Sequence, residues 1–448
     1  MNYNIVIIGG GTAGWITAAY LSFHNPNKTI CLIESPNIPT IGVGEGTFPS
    51  TMGLLNSIGI TPRELLVKSN GGLKLGIQYT DFASDAFWLS TNAPQDWERW
   101  GTEMSKTLSL SSKVPPIDDE AVFACHFVAH DLAQLLKEHA LKNQVTHISA
   151  EVVNSQVKNN QCDNITLDSG NTITADWFVD CSGFARVLIK QTDSKFVSYD
   201  KELLVDSAVV GPIPYTDKSK EFTCYSKISA RTAGWQFKIP TYSRTGNGYV
   251  YSSQFLTPEA AETELRNSVP VTDIKNLKMT LGYYDQLIVG NIVAAGLSGG
   301  FIEPMEATAI HLTERTIIAF NDLLQSTTTI DAANQYLKDK IRYIKTLILA
   351  HYAFSKRTDP FWLAAREAAH NSAEIKEFFA GLKNGKFPTA EDDLDVAYPY
   401  CQWNELLAGF KQDHYYPTIN SSAKKEIYMA TYYTPNHFDY IEKLRTEL

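Results

Sequence analysis

Three glycines and one acidic residue near the amino terminus have a spacing that suits ligand binding. The glycines form G-x-G-x-x-G over residues 9–14, directly after the apolar run 3–8, and Glu34 ends a second apolar run. In such a turn the first glycine permits a tight bend, the second lets the backbone approach a pyrophosphate, and the third lets a helix pack closely on the strand. The helix amino terminus attracts phosphate charge, and Glu34 can accept hydrogen bonds from a ribose diol. This pattern predicts a dinucleotide site. Its predicted contact residues are Gly9, Gly11, Thr12, Ala13, Gly14 and Glu34.

Two further stretches suit a second approach of the backbone to the same ligand. Residues 177–189, WFVDCSGFARVLI, run as an apolar strand into a Ser-Gly turn at Gly183, which fits a cofactor contact and equally fits an ordinary strand-turn-helix. Residues 39–50, PTIGVGEGTFPS, combine glycines with an acid, as would either a loop held against a flat group or a plain surface loop. A single glycine triplet followed by an inserted meander favours FAD over NAD.

Length, charge and cysteine usage argue against several classes of function. The chain has 448 residues, 44% of them hydrophobic, which is enough for a sizeable core. Its formal net charge of −10 is spread without long runs of one sign, so nucleic acid is not an expected partner. The six cysteines form no C-x-x-C pair and no metal-ligand spacing, which indicates a reduced, cytoplasmic protein without a metal site. No membrane association is expected, because no transmembrane-length apolar run or signal sequence is recognisable. His126, His311 and His351 are interpreted as ordinary core or helix-face histidines.

The elements that must position these residues follow from hydrophobic periodicity. The amino-terminal run of strand, helix and strand predicts a right-handed βαβ unit. Residues 145–183 are typical of a β-meander that returns to the same sheet. Residues 200–295 predict a mixed sheet in a second lobe, which includes the stretch LIVGNIVAAG, and the chain from residue 307 onward is mostly helical.

The predicted fold class is therefore α/β. It is an FAD-binding, Rossmann-like, monooxygenase-type fold with an inserted β-meander, a mixed-sheet substrate lobe and a mostly helical carboxy-terminal region. We divide the chain into a core of residues 1–360 and a helical region of residues 361–448 that packs on the core and the substrate site.

Several further stretches carry recognisable motifs. They are IGVGEGTFPS with NGGLKLGIQY downstream, GWQFKIP, LSGGFIEPMEATAIHL and HYAFSKRTDPFW. In this order they resemble the segments that mark flavin-dependent halogenases of the tryptophan-halogenase family. The resemblance covers residues 5 to about 365, and YYTPNHFDYI near the carboxy terminus is a weaker match. It implies that residues 39–50 form a strap that lies against the flavin and joins the cofactor site to the substrate site. The implied strap positions are Gly42, Val43, Gly44 and Glu45.

The resemblance also implies which residues carry the chemistry. Lys74 in GGLKLG matches the family's essential lysine, which can hydrogen-bond hypohalous acid or bind its halogen. Glu306 in EPMEAT matches the essential glutamate, which can polarise the halogen donor or accept the proton lost when the ring regains aromaticity. Glu303 is the nearest alternative on sequence, but its place before the proline differs from the family's catalytic position.

Two further groups of residues are implied in the same way. A helix is expected to begin after Pro304, so the backbone amides of Thr308 and Ala309 could hold a halide at its amino terminus. Alanine stands at 307 and 309 where the family often has Ser and Gly, which leaves the halide preference open. GWQFKIP corresponds to the Trp-x-Trp-x-Ile-Pro signature thought to keep organic substrate away from the flavin, although any half-buried strand alternates in this way. The implied shielding residues are Trp235, Phe237, Ile239 and Pro240, of which Phe237 lacks an indole N–H.

The implied function is halogenation of an aromatic ring. Reduced FAD, O₂ and halide would give hypohalous acid, and Lys74 and Glu306 would direct it to an electron-rich substrate of the indole or phenol type. No second glycine triplet for NAD(P)H is evident, so a separate flavin reductase is expected to supply FADH₂. Two alternatives stay open: a flavin-dependent aromatic hydroxylase, against which Lys74, Glu306 and the aromatic wall argue, and a flavin-binding protein without catalysis. Bromide or iodide is expected to support faster turnover than chloride.

Overall fold

A computed structural model describes residues 1–38, 42, 44–91, 101–117, 123–384, 400–411, 429 and 431–447. The strands are β1 (Asn2–Ile8), β2 (Ile30–Glu34), β3 (Glu45–Gly46), β4 (Gly72–Lys74), β5 (Gly76–Thr80), β6 (Phe87–Ser90), β7 (Ala124–Phe127), β8 (Thr146–Ser149), β9 (Val152–Lys158), β10 (Gln161–Leu167), β11 (Thr172–Asp180), β12 (Phe196–Ser198), β13 (Ser207–Ile213), β14 (Tyr225–Arg231), β15 (Gly234–Pro240), β16 (Thr245–Tyr251), β17 (Lys275–Lys278), β18 (Gly282–Tyr284), β19 (Ile288–Val289), β20 (Ile292–Ala294) and β21 (Gly300–Phe301). The helices are α1 (Thr12–His24), α2 (Pro49–Ser57), α3 (Pro62–Lys68), α4 (Gly101–Leu110), α5 (Ala129–Lys142), α6 (Lys218–Glu221), α7 (Pro258–Ser268), α8 (Thr308–Leu324), α9 (Ile330–Phe354), α10 (Pro360–Asn371), α11 (Ala373–Lys383), α12 (Tyr400–Gly409) and α13 (His437–Thr446).

An eight-stranded sheet carries the glycine turn. Strand β1 pairs in parallel with β2 and β11, and the parallel part continues through β8 on one side and β20 on the other. Strands β9 and β10 join β11 in antiparallel fashion as the predicted meander. The second half of β1 and most of α1 are buried, because helices α5 and α8 cover α1 on the sheet. The predicted βαβ unit and the α/β fold class are confirmed.

A seven-stranded mixed sheet forms the second large layer. Its order is β17-β13-β16-β15-β14-β5-β6, in which β14 and β5 are parallel and the other pairs antiparallel. The assignment of LIVGNIVAAG to this sheet is wrong, because β20 pairs with β11 at Phe178 and Ile292 in the first sheet. A short, fully apolar run suits a buried strand of either sheet, so its pattern does not distinguish them.

Two three-stranded sheets and the carboxy-terminal helices complete the described parts of the molecule. One small sheet has the order β3-β7-β4 and the other β12-β18-β21. Helix α8 packs on α1 and α9, and α9 packs on α10 and α11. The division into residues 1–360 and 361–448 stays a prediction. Within the described ranges, no helix is both long enough and apolar enough to cross a membrane.

Candidate active site

The three glycines of the turn between β1 and α1 have different surroundings. Gly9 has a φ of +114°, and a Cβ on it would lie 2.3 Å from the carbonyl oxygen of Cys181. A Cβ on Gly14 would lie 1.9 Å from the carbonyl oxygen of Gly9, so helix and strand pack without room for a side chain. A Cβ on Gly11 would meet nothing within 4 Å, so its backbone faces open space beside the start of α1. Two closed positions and one open position fit the predicted pyrophosphate contact.

Glu34 places its carboxylate against this turn. A Cβ on Gly10 would lie 2.2 Å from Oε1 of Glu34. Oε2 lies 3.3 Å from Nζ of Lys137 and 3.0 Å from Nε2 of His147. The Glu34 side chain keeps 26% of its surface exposed, so a ribose could still reach it. Gly10 is thus a third close contact of the turn, which the triplet pattern does not identify.

Two other turns lie close to the glycine turn and the start of α1. Gly183 has a φ of +65° and opens the turn after β11, and a Cβ there would meet nothing within 4 Å. Gly296 has a φ of +68° and follows β20, and a Cβ on it would lie 2.7 Å from Cβ of Ala13. Sequence analysis identifies Gly183 but misses Gly296, although the stretch GLSGG at 296–300 carries a signal for a tight backbone approach.

The strap crosses two other segments of the chain. A Cβ on Gly42 would lie 2.5 Å from Cβ of Ala129, the first residue of α5. Gly44 has a φ of +113°, and a Cβ on it would lie 3.4 Å from the carbonyl oxygen of Ile239 in β15. Val43 lies outside the described residues. Both glycines therefore allow the strap to pass close to backbone and side-chain atoms that a larger residue would contact.

The end of the strap leads to the predicted lysine. Glu45 pairs with Phe127 through β3 and β7, and burial raises the pKa of the Glu45 carboxyl to about 7. A Cβ on the next residue, Gly46, would lie 3.3 Å from Nζ of Lys74. The described part of residues 39–50 thus runs from the start of α5 to the Lys74 amine.

Lys74 is buried, with 1% of its surface exposed. Its Nζ donates a hydrogen bond to the carbonyl oxygen of Thr47 at 3.3 Å and lies 5.5 Å from the centroid of the Phe48 ring. Burial lowers the pKa of Lys74 to about 8, and the negative charge of Glu306 partly offsets this effect. The amine can therefore hold or release a proton close to neutral pH.

Glu306 is fully buried at the end of the turn Pro304–Glu306. The Tyr79 hydroxyl donates a hydrogen bond to Oε1 of Glu306, and Nε2 of His351 lies 2.9 Å from the same oxygen. Ala307 follows with a φ of +56° and turns the chain into α8. No sequence pattern points to Tyr79, and His351 reads as an ordinary histidine, because these residues come from β5 and α9, far apart along the chain.

Glu303 is also buried, but it has other partners. The Tyr352 hydroxyl donates to both of its oxygens, at 3.0 and 3.2 Å, and Trp235 lies beside the pair. Burial raises the pKa of Glu303 to about 8. A carboxyl that stays protonated at neutral pH is poorly suited to accept a proton.

The predicted halide residues are at the start of α8. Thr308 and Ala309 are its first two residues, where backbone N–H groups have no acceptor within the helix. Thr308 is buried and Ala309 is half-buried. Thr308 and Ala309 follow Glu306 by two and three residues. An anion on their amides would therefore lie near Glu306.

The predicted shielding residues lie along β15. Trp235, Phe237 and Ile239 alternate along this strand and so share one face of the sheet, and Pro240 ends it. The ring centroids of Trp235 and Phe237 are 6.3 Å apart, and both side chains are buried. The Phe237 ring fits against Gly248 of β16, where a Cβ would lie 2.6 Å from it. Gly44 of the strap passes the backbone of Ile239 in the same strand.

Two other buried histidines have local partners. Nε2 of His126 lies 2.8 Å from Oγ of Ser226, and Nδ1 of His311 lies 3.1 Å from Oγ of Ser50. In the part of the chain that the structure describes, no three His, Cys, Asp or Glu side chains are grouped as metal ligands would be.

We predict that the free energy of unfolding of the wild-type protein rises between about pH 8, the pKa of Lys74 in the fold, and pH 10.5, the ordinary pKa of lysine. Between these values the unfolded chain binds the extra proton, so raising the pH favours the folded state. Below pH 8 both states are protonated and the cost of burying the charge is present in full. The stability advantage of Lys74→Met over wild type in urea unfolding should shrink by roughly 2 to 3 kcal/mol between pH 7 and 10. A difference that does not change with pH would contradict the buried cation.

Comparisons with proteins of known sequence extend over nearly the whole chain. The tryptophan halogenase family model matches residues 4–97 and 84–423. Tryptophan 7-halogenase RebH of Lentzea aerocolonigenes is 30% identical over 450 residues, covering 88% of this chain and 84% of that protein. Tryptophan 6-halogenase ThaL of Streptomyces albogriseolus is 30% identical over 437 residues, covering 84% of this chain and 82% of that protein.

Solved structures agree with the sequence comparisons. The fold matches that of a tryptophan halogenase from Shewanella frigidimarina with a TM-score of 0.87 at 24% identity, covering 99% of this chain and 97% of that one. BrvH, a flavin-dependent halogenase from Brevundimonas sp. BAL3, matches with a TM-score of 0.84 at 25% identity, covering 98% and 99%. The predicted resemblance is confirmed: this chain belongs to the tryptophan halogenase family and is a flavin-dependent halogenase.

Proposed function

We propose that this halogenase uses FADH₂ and O₂ to oxidise halide to hypohalous acid and transfers the halogen to an electron-rich aromatic ring. The observation that carries this proposal is the burial of the Lys74 amine within electrostatic reach of the Glu306 carboxylate, at the end of the strap. A buried amine and a buried carboxylate can handle a reactive electrophile and a proton in a place that excludes water.

The residues at the glycine turn suit FAD. Gly9 and Gly14 close the turn, Gly11 and Gly183 leave open space for a ligand, and Glu34 would bind the ribose. The strap would lie against the flavin ring through Gly42, Val43, Gly44 and Glu45. When bound, reduced FAD with O₂ supplies the oxidising equivalent for the halide. A separate flavin reductase would deliver it, since the sequence shows no second glycine triplet for NAD(P)H.

Lys74 would hold the oxidised halogen. As an ammonium it would donate a hydrogen bond to the oxygen of hypohalous acid, and as an amine it would bind the halogen itself. A pKa of about 8 makes both forms accessible. Since Thr47 and Phe48 enclose the amine, the halogen would be kept from diffusing into solution.

Glu306 would accept the proton that the ring loses after substitution. The Trp235 and Phe237 face of β15 would separate substrate from flavin, which suppresses oxygenation of the ring. Thr308 and Ala309 would hold halide on their backbone amides. We propose small indoles or phenols as substrates, and the names of RebH and ThaL support an indole ring.

The experiment is an incubation of the protein with FAD, a flavin reductase, bromide and a mixed library of aromatic compounds. Halogenation gives products with the bromine isotope doublet in mass spectra. A halide-independent oxygenated product would instead indicate a hydroxylase, and tight flavin binding without turnover would indicate a non-catalytic flavoprotein.

We predict that Lys74→Ala abolishes halogenation but leaves flavin binding and oxidation of reduced flavin intact, because Lys74 handles the halogen rather than the flavin. Product and consumed O₂ are measured together. Lys74→Met, which keeps the volume, should behave in the same way. The matched control is Lys345→Met, which removes another buried lysine, one paired with Glu202 and Glu374. Regioselective halogenation by Lys74→Ala would refute this role.

We predict that Glu306→Gln lowers the rate of halogenation by about 10²-fold or more, the usual effect of removing a positioned base. The substitution keeps the size of the side chain and removes its basicity. Glu303→Gln is the matched control, since it changes a buried carboxyl three residues away, and its rate should stay within about threefold of wild type. A near-normal rate for Glu306→Gln with a slow Glu303→Gln would transfer the role to Glu303.

We predict that bromide or iodide supports faster turnover than chloride. Chloride is the hardest of the three to dehydrate and the poorest nucleophile, and backbone amides without a charged side chain offset that cost only in part. The methyl groups of Ala307 and Ala309 narrow the site and oppose the largest ion, so the order of bromide and iodide is open. Competition at equal halide concentrations on one activated phenol, with free hypohalite scavenged, measures the preference. A clear chloride preference would contradict this account of the site.

A further inference from the structure

A side chain from the last helix binds the edge of the strand that carries Lys74. Strand β4 stands at one end of the order β3-β7-β4, so β7 covers one of its two edges. On β4, the backbone N–H of Leu73 donates a hydrogen bond to Nε2 of His437 at 3.1 Å. Leu73 and His437 are completely buried, so the imidazole takes the place that water or another strand would have.

The contacts of the His437 ring define its protonation state. Nδ1 lies 3.1 Å from the carbonyl oxygen of Phe222, which can only accept, so Nδ1 carries a hydrogen. Nε2 accepts from the Leu73 N–H, so it carries none. Both contacts therefore require the neutral ring with its hydrogen on Nδ1. Burial lowers the pKa of His437 to about 4, which agrees with a neutral ring at physiological pH.

Contacts that do not involve β4 hold His437 in place. Its backbone N–H donates to the carbonyl oxygen of Ser112 at 2.8 Å, and the carbonyl oxygen of Pro435 accepts from the N–H of Val114 at 3.1 Å. The imidazole also packs on the Phe222 ring, with centroids 4.4 Å apart. Because the segment after α4 and Phe222 position this ring, His437 can hold β4 rather than follow it.

Strand β4 is short, so a contact at its centre acts on the residues on either side. A Cβ on Gly72 would lie 2.6 Å from the Phe222 ring and 3.1 Å from Cε1 of His437, so glycine is what lets both rings approach the strand. On the other side, Lys74 follows Leu73 directly and ends β4. The backbone from which the Lys74 side chain extends is therefore held between β7 and His437.

We propose that His437 is a positioning residue, which binds the Leu73 N–H and so fixes β4 and the Lys74 amine relative to the halogen. This inference rests on the proposed role of Lys74 in halogen transfer. A small displacement of a reacting group lowers the rate strongly, although every group is still present. If β4 shifts, hypohalous acid still forms, but it meets the amine less often and escapes into solution.

The test compares two amide substitutions in the complete enzyme with FAD, a flavin reductase, bromide and the best substrate of the library. The amide of His437→Gln lies near the position of Nε2 and can accept from the Leu73 N–H, whereas that of His437→Asn reaches only the position of Nδ1. We expect His437→Asn to lower kcat by roughly 10-fold relative to His437→Gln, with KM for the aromatic substrate nearly unchanged. Oxidation of reduced flavin should stay normal in both, and the hypohalite caught by a scavenger should rise in His437→Asn as product falls.

Hydrogen exchange supplies a measurement that does not depend on turnover. The Leu73 amide should exchange faster in His437→Asn than in His437→Gln, because only the glutamine keeps its acceptor. Tyr440→Phe is the matched control, since it removes a hydroxyl that accepts from the backbone N–H of Ile117 at 2.9 Å, a contact of the same helix away from β4. It should leave kcat, released hypohalite and Leu73 exchange close to their wild-type values.

Should His437→Asn fail to fold in thermal unfolding, Gly72→Ala replaces it. The added methyl group would separate the rings of His437 and Phe222 from β4, so the same loss of kcat and release of hypohalite are expected. Normal product formation by Gly72→Ala would contradict the positioning role.

The outcomes separate this assignment from the proposed function. Equal kcat values for His437→Gln and His437→Asn, or an equal loss from Tyr440→Phe, would overturn the positioning role, while the effect of Lys74→Ala would still support halogen transfer by the lysine. A wild-type enzyme that forms no halide-dependent product would overturn the proposed function, and the positioning role with it.

Discussion

The Lys74 amine and the Glu306 carboxylate are kept out of water in the same part of the core. Burying either group alone carries a desolvation cost, which their opposite charges and hydrogen-bonding partners offset in part. Those partners come from separate elements: the Thr47 carbonyl from the strap side, the Tyr79 hydroxyl from β5 and the His351 ring from α9. The small sheet β3-β7-β4, the mixed sheet and the helical layer must therefore meet at this one place.

Close contact between backbones is the second constraint, and it connects the two halves of the site. At the cofactor turn, Gly9 and Gly14 let β1, α1 and the end of β11 touch. Glycines allow similarly close contacts in the strap, where Gly44 lies against the Ile239 carbonyl and Gly46 lies against the Lys74 amine.

Glu303 and Glu306 are two buried glutamates whose carboxyl groups have different hydrogen-bonding partners. They are three positions apart and equally buried, yet Glu303 accepts from the Tyr352 hydroxyl on both oxygens, whereas Glu306 accepts from the Tyr79 hydroxyl. Burial raises the pKa of Glu303 to about 8 and favours its neutral form. Pairs of carboxyls whose surroundings differ in this way can take different roles in one protein.

Periodicity and glycine spacing are local properties of the chain, so they were enough to predict the βαβ unit and the glycine turn, and the resemblance of the motifs implied Lys74 and Glu306 as candidates. It did not determine the sheet to which LIVGNIVAAG belongs, since a short apolar run fits either large sheet. The folded chain shows that Tyr79 and His351 contact Glu306, and that Glu303 has other partners. Those contacts join residues far apart along the chain, so they depend on how β5, the turn before α8 and α9 pack together rather than on any pattern within one segment.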